Sequence, residues 1–247
     1  MTQLILKSAK IVTDKKTLLQ IAKTLKSVTN EASILLTSEG LIFKSLDKMH
    51  VYMIDMRLTG NIFEKFDIDK DITLGIKTPE FAKLVSSLDK KGSIIMEIIN
   101  DKIFLAQNDF KCEFELIDEF NNDIPIPKLD YTVRAEFGIN FKVDYLKNSL
   151  KKLRLMSEYV TISSNELKMT LSVDENKIMW NKDQINLKIK EDTETIYNID
   201  LLLGFLKTLD KKSNLVLEYA NRKPIRLTTD INNLGIIQFY LAPRVEN

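Results

Sequence analysis

Residues 144–174 read DYLKNSLKKLRLMSEYVTISSNELKMTLSVD. The first part places Leu146, Leu150 and Leu153 at helical spacing. Lys147, Lys151 and Arg154 run beside them at i, i+4 and i+7, a basic stripe next to an apolar one. At Tyr159 the period changes. From there to Asp174 apolar and polar residues alternate around Asn165-Glu166, the pattern of a β-hairpin. A helix with one greasy face followed by strands with one greasy face needs a layered arrangement in which each covers the other.

The same unit recurs along the chain. Residues 33–47 (SILLTSEGLIFKSLD), 93–109 (SIIMEIINDKIFLAQND) and 213–230 (SNLVLEYANRKPIRLTTD) are hairpins by the same alternation. They begin at intervals of about 60 residues. A helix precedes each. Residues 15–28 bring Leu18, Ile21, Ala22, Leu25 and Val28 to one face. Thr78-Pro79-Glu80 reads as a helix start, with Thr78 as N-cap and Pro79 at the first helical position, and Phe81, Leu84, Val85 and Leu88 form the stripe behind it. Asp144 opens the third helix, and Asp200 opens the fourth with Leu201, Leu202, Phe205, Leu206 and Leu209. Further strands are expected at 50–58, 177–180 and 186–196. The fold class is therefore α+β, built from four β-α-β-β-β units with the helices on one face of antiparallel sheets. Residues 118–131 (DEFNNDIPIPKLDY) break the pattern with two prolines and four acids. They are expected to link two similar domains of two units each, 1–117 and 132–247.

Composition narrows the function. The chain has 247 residues, and one Cys and one His leave little for a metal cluster, a disulfide or histidine-based catalysis. Seven glycines are few for a glycine-rich cofactor fold. The expectation is a non-enzyme without cofactor or metal. Asp67, Asp69 and Asp71 alternate like the start of a calcium loop, but Ile72 and Thr78 stand where that loop needs Gly and Glu. The single thiol, Cys112, has only Lys111 beside it and reads as a buried or interface group. The N-terminus lacks a signal-peptide pattern and no stretch is apolar for long enough to span a bilayer, so a cytoplasmic protein with no membrane partner is expected.

Charge is distributed unevenly. The formal net charge is +1, yet the four helical segments together carry +9 and the remainder −8. A lysine stripe on one helix is an ordinary solvated face. The same bias on four helices points to a polyanion, and lysines without interleaved aromatics suit phosphates rather than bases.

The motifs resemble a family. Residues 239–246 (FYLAPRVE) are similar to the terminal signature of the sliding clamps known as proliferating cell nuclear antigen (PCNA). Leu46-Asp47-Lys48-Met49-His50-Val51, followed by Ile54-Asp55, resembles that family's first-domain signature, and Asn30-Glu31-Ala32, Ile126-Pro127 with Tyr131, residues 215–219 and Pro224 also match. The resemblance covers the whole chain. It implies a DNA clamp fold, a ring of three subunits around duplex DNA bound without sequence preference, and an ATP-driven clamp loader. Partners such as DNA polymerase, flap endonuclease and DNA ligase would insert a short apolar peptide, the PIP-box, beneath the linker. It also places the protein on DNA, in the nucleus if the source is eukaryotic. A regulatory or checkpoint paralogue of the same fold is the alternative. The near-neutral charge departs from many strongly acidic relatives, and heterotrimers of paralogues exist beside homotrimers.

Carried over residue by residue, the resemblance makes Lys15, Lys16, Lys23, Lys26, Lys83, Lys147, Lys151, Arg154, Lys207 and Lys211 face DNA. It makes Leu46, His50, Val51, Met53, Ile124, Ile126, Pro127, Tyr131, Pro224, Tyr240, Ala242 and Pro243 line the peptide groove. It puts Cys112, Phe114 and Leu116 of one subunit against Ile178 and Trp180 of the next. Without it, each apolar groove residue would be an ordinary core residue, His50 a structural or surface histidine, and Trp180 either core or interface.

Overall fold

A computed structural model describes residues 8–119, 124–137, 143–210, 213–231 and 233–245. In chain order the elements are β1 (Ser8–Thr13), α1 (Lys15–Lys26), β2 (Glu31–Thr37), β3 (Gly40–Leu46), β4 (Tyr52–Thr59), β5 (Lys65–Ile68), β6 (Ile72–Lys77), α2 (Thr78–Ser87), β7 (Ile94–Ile99), β8 (Lys102–Gln107) and β9 (Phe110–Glu115). They continue with β10 (Val133–Phe137), α3 (Val143–Arg154), β11 (Tyr159–Asn165), β12 (Lys168–Val173), β13 (Asn176–Asn181), β14 (Asn186–Ile189), β15 (Thr193–Asn198), α4 (Ile199–Leu206), β16 (Leu215–Tyr219), β17 (Ile225–Asp230) and β18 (Gly235–Leu241). The strand–helix–three-strand unit occurs four times, starting at β1, β6, β10 and β15. The strand expected over 186–196 is two strands, β14 and β15, which join different sheets.

The chain forms two compact units. One comprises Met1–Ser45, Asp55–Ile124 and Asn232–Gly235; the other Leu46–Ile54, Pro125–Ile231 and Ile236–Asn247. In the first, one sheet runs β5-β1-β7-β8-β9 and a second runs β6-β2-β3-β4. The helices α1 and α2 lie side by side and bury Leu18, Ile21 and Leu25 with Phe81, Ala82 and Val85. Phe81 meets Phe114 of β9 edge-on at 5.6 Å between ring centroids. In the second unit the sheets run β13-β12-β11-β15 and β14-β10-β16-β17-β18. There α3 packs beside α4, and Phe205 of α4 stacks on Phe239 of β18 at 4.8 Å.

Local chemistry sets the boundaries. Asp14 caps α1 by accepting the Thr17 N–H at 3.0 Å. Asn198 does the same for Leu201 in α4, so that helix begins one residue before Asp200, and α3 likewise begins at Val143. Thr78 is not the N-cap of α2 but its first residue. Its buried hydroxyl donates to the Thr29 carbonyl, tying the helix start to the loop after α1 instead of capping its own N–H groups. Tight strand connections use left-handed backbone at Asn100, Asn108, Asp174 and Arg222, three of them polar types that tolerate it. Gly75 in β6 allows a close backbone crossing: a Cβ there would sit 2.2 Å from the Ile117 carbonyl oxygen.

Candidate functional sites

The first candidate surface is the polar side of the helices. In the first unit Lys16, Lys23, Lys26 and Lys83 are exposed while the apolar faces of α1 and α2 are buried. Lys15 is engaged differently. Its Nζ donates to the Ser86 carbonyl at 2.8 Å and to the Leu88 carbonyl, so it neutralises the negative C-terminal end of α2. In the second unit Lys151 and Lys207 are exposed and Lys147 is half-buried. Arg154 at the end of α3 binds Asp200 at the start of α4, Nε to Oδ1 at 2.8 Å, with Glu158 at 3.9 Å. The hydrogen bond to Arg154 holds the Asp200 carboxyl below its ordinary pKa. Lys15 and Arg154 therefore fasten helix pairs as well as carrying charge. Lys211 lies outside the described residues. Tyr145 is 55% exposed on α3, but helical spacing sets it away from the stripe of Lys147, Lys151 and Arg154.

The second candidate surface is in the second unit, around the loop before β4 and the chain's last residues. Asp47 organises the loop. Its carboxylate accepts the N–H groups of Met49 (3.0 Å), Val51 (2.6 Å) and Tyr52 (2.7 Å), and its carbonyl accepts that of His50 (2.9 Å). His50 is thereby held exposed in left-handed backbone, φ 57°. The tail is strapped at two points: the Ala242 N–H donates to the Val51 carbonyl and the Arg244 N–H to the Ile196 carbonyl, each at 2.8 Å. The Arg244 guanidinium also lies 4.3 Å over the Tyr159 ring. Leu46, Val51, Ile126, Tyr131, Pro224, Ala242 and Pro243 are half-buried and Pro127 is exposed, as suits walls that a ligand would cover. Met53 and Tyr240 are each only 3% exposed, so they lie beneath the surface and support it. Ile124, half-buried, falls in the first unit.

A polar row, not foreseen from the sequence, crosses this unit's sheet. Lys188, Arg134, Glu218, Arg226 and Tyr240 stand opposite one another on β14, β10, β16, β17 and β18. Glu218 is 7% exposed and is held between two arginines: Arg134 Nη1 reaches Oε1 at 2.9 Å, and Arg226 Nε and Nη2 reach Oε2 at 2.8 and 2.6 Å. Burial opposes the Arg226 charge, but the contacts to Glu218 and Tyr240 outweigh it and raise that pKa. Glu136, bonded to Arg134 and Asn186, is held below the usual carboxylate range. Burial pushes the Tyr131 phenol well up, against the pull of Arg226. The signal was present as charged residues at alternate strand positions, but only the register shows that they meet.

The third candidate feature is a pair of strand edges. β9 ends its sheet in the first unit and β13 ends one in the second. Both show the same burial sequence, two exposed residues, then half-buried, exposed, buried, exposed. Cys112, Leu116 and Ile178 are half-buried at these edges. Phe114 is buried against Phe81, and Trp180 meets Phe137 edge-on at 5.7 Å, so both side chains belong to their own cores and offer a neighbour only backbone. Burial raises the Cys112 thiol pKa. Of the acidic trio, Asp67 pairs with Lys65 at 3.4 Å and Asp69 accepts from Ser8 at 2.9 Å. A polar depression of about 570 Å³ on the β11–β13 face includes Ser163, Thr170 and, from the β13 edge, Lys177 and Met179.

Comparison with known proteins gives a consistent picture. The family description "Proliferating cell nuclear antigen, N-terminal domain" matches residues 8–121. A protein of Nitrosopumilus maritimus named DNA polymerase sliding clamp is 30% identical over 237 residues, covering 92% of this chain and 94% of that protein. One of the same name from Cenarchaeum symbiosum is 29% identical over equal shares. Among solved structures, a PCNA from Thermococcus kodakaraensis superposes with a TM-score of 0.87 at 20% identity, covering 96% of this chain and all of that one. The PCNA of A. fulgidus, solved with the C-terminal region of FEN-1 bound, also gives 0.87, at 17% identity over 97% of this chain and 99% of its own.

Proposed function

Because the chain belongs to the PCNA family of DNA polymerase sliding clamps, as its end-to-end match to the Nitrosopumilus protein establishes, we propose that it works as a topological tether. It is a DNA sliding clamp. Three subunits close into a ring around duplex DNA, and a clamp loader opens and closes it. The two domains, 1–117 and 132–247, are joined by the linker 118–131, and the helices line the hole. Exposed lysines touch phosphates without reading bases, and such diffuse contacts exchange readily enough to permit sliding. Processivity comes from enclosure, so no chemical step is asked of the clamp itself.

Subunits join head to tail, the β9 edge of one pairing with the β13 edge of the next. Such a heterologous contact closes into a ring when the rotation between subunits allows it. Client enzymes dock through a PIP-box peptide in the groove of the second candidate surface. The fastened loop and tail support this reading, because a groove already held open spares the ligand part of the ordering cost. DNA polymerase, flap endonuclease and DNA ligase are the clients expected.

The observation that carries the DNA-facing assignment is the exposure of Lys16, Lys23, Lys26, Lys83, Lys151 and Lys207 on helices whose opposite faces are buried. Replacing Lys26, Lys83, Lys147 and Lys207 together by Glu is the test. Loading onto circular DNA should be lost while sedimentation still reports an assembled ring. Unchanged loading at physiological salt would remove the assignment.

A further inference from the structure

The last residue of the linker, Tyr131, lies one residue before a fixed point. Thr132 is anchored by its N–H to the Tyr219 carbonyl (3.2 Å) and by its carbonyl to the Lys190 N–H (2.8 Å). Tyr131 is the side chain next to that anchor, and its ring packs against a charged group. The Arg226 guanidinium lies 4.9 Å from its ring centroid. The phenol oxygen is buried without a hydrogen-bond partner among the described residues, so the ring face, not the hydroxyl, makes the polar contact. Arg226 cannot swing freely. Two of its nitrogens are bound to one oxygen of Glu218, whose other oxygen is bound to Arg134. A guanidinium clamped on its edge presents its flat face, the geometry that stacks on an aromatic ring.

We propose that Arg226 is a positioning residue of the peptide groove: clamped by Glu218, it seats Tyr131 and so fixes the height of the linker's C-terminal end over the sheet. The inference rests on the reading of this region as the PIP-box groove. It assigns Arg226 a role that none of the apolar groove residues shares, because its stacking contact is with the linker residue Tyr131. Arg134 serves as an internal control. It binds the same Glu218 from the other side but makes no stacking contact with Tyr131, so a role that was only structural would make the two arginines equivalent.

The test uses the assembled clamp and a synthetic PIP-box peptide followed by calorimetry. Arg226→Gln and Tyr131→Leu should each weaken the peptide about tenfold, the scale of one partly desolvated cation–aromatic contact. The double variant should be no weaker than the worse single one. Arg134→Gln and the unaltered clamp should bind alike. Additive losses, or an equal loss in Arg134→Gln, would overturn the inference. Amide hydrogen exchange in the free clamp separates it from the reading beneath it. Exchange at Leu129, Asp130 and Tyr131 should quicken in Arg226→Gln and stay unchanged in Arg134→Gln, and a failure of that difference overturns the inference whatever the peptide does. A clamp that shows the exchange difference yet binds no PIP-box peptide would place the fault in the groove assignment.

Discussion

Single polar side chains inside this chain do the work of several backbone bonds, and their removal has local consequences. Asp47 is the clearest case, since three N–H groups of the loop at 49–52 end on its carboxylate. Asp47→Ala leaves them to water and frees His50 from its left-handed conformation. PIP-box affinity should fall about tenfold while the melting temperature changes little, because the loop is exposed and the core is not involved. Asp47→Asn, which keeps an acceptor oxygen, should recover part of the loss; equal affinity in all three forms would show that the loop does not contribute to binding. Tyr219 is the buried counterpart. Its hydroxyl and that of Ser164 form a 2.7 Å hydrogen bond between two sheets of the second unit. Tyr219→Phe leaves the Ser164 hydroxyl in the core without its partner, which costs about 1–3 kcal/mol. Chemical denaturation should register that loss, and the double variant Tyr219→Phe with Ser164→Ala should regain much of it.

At the scale of elements, ion pairs reinforce helices whose apolar faces are buried, and two sheets end in strand edges. The Arg154–Asp200 pair joins the end of α3 to the start of α4, where each charge also suits its helix terminus. Because the Asp200 carboxyl has a lowered pKa in the fold, the stability it adds is present above the ordinary carboxylate pKa. That contribution is lost as pH falls through the lower folded value. Melting followed from pH 7 to pH 3 should therefore decline less steeply in Asp200→Asn than in the unaltered chain. The edges need a different test. A proline at Met179 in β13 removes a ladder donor from an exposed position without entering the core, whereas Phe114→Pro would also disturb the ring contact with Phe81. Met179→Pro should shift the sedimenting species from trimer to monomer. A trimer that survives would place the subunit contact elsewhere. Much of this level was legible beforehand. Four helices and four hairpins follow from period 3.6 giving way to period 2, and the repeat multiplies one reading by four. The tie of Lys15 to the end of α2 was not legible, because nothing in residues 15–28 says that the end of α2 lies beside them. Nor could strand alternation tell Ile126, half-buried on the linker, from Met53 and Tyr240, which are apolar in pattern but lie under the surface.

For the whole molecule, the proposed function requires that two surfaces act independently. The lysines proposed to face DNA and the residues proposed to line the groove share no side chain, and on that reading one set recognises charge where the other recognises shape and apolar area. Their responses to salt should therefore separate. Retention on linear DNA should fall steeply with salt, and replacing exposed lysines should flatten that dependence by roughly one unit of log–log slope for each phosphate no longer neutralised. PIP-box affinity should hardly move over the same range. Conversely, Ile126→Ala removes apolar area from a groove wall, where burying a side chain of that size contributes about 1.5–3 kcal/mol before ordering costs. Every client that uses the peptide should weaken together, by about tenfold or more. Ile126 is the better probe than Met53, since Met53→Ala would open a core cavity and cost about 2–5 kcal/mol of stability, confusing folding with binding. Tyr240→Phe, which spares the packing and removes only the bond to Gln238 at 3.0 Å and the contact to Arg226, separates support of the groove from occupancy of it. The expected outcome is a double dissociation: lysine variants that bind peptide normally and slip from DNA, and Ile126→Ala clamps that stay on DNA and fail to hold their clients. A lysine variant that loses peptide binding, or an Ile126 variant that cannot be retained on DNA, would mean that the two surfaces are coupled and that the ring is not the passive tether proposed.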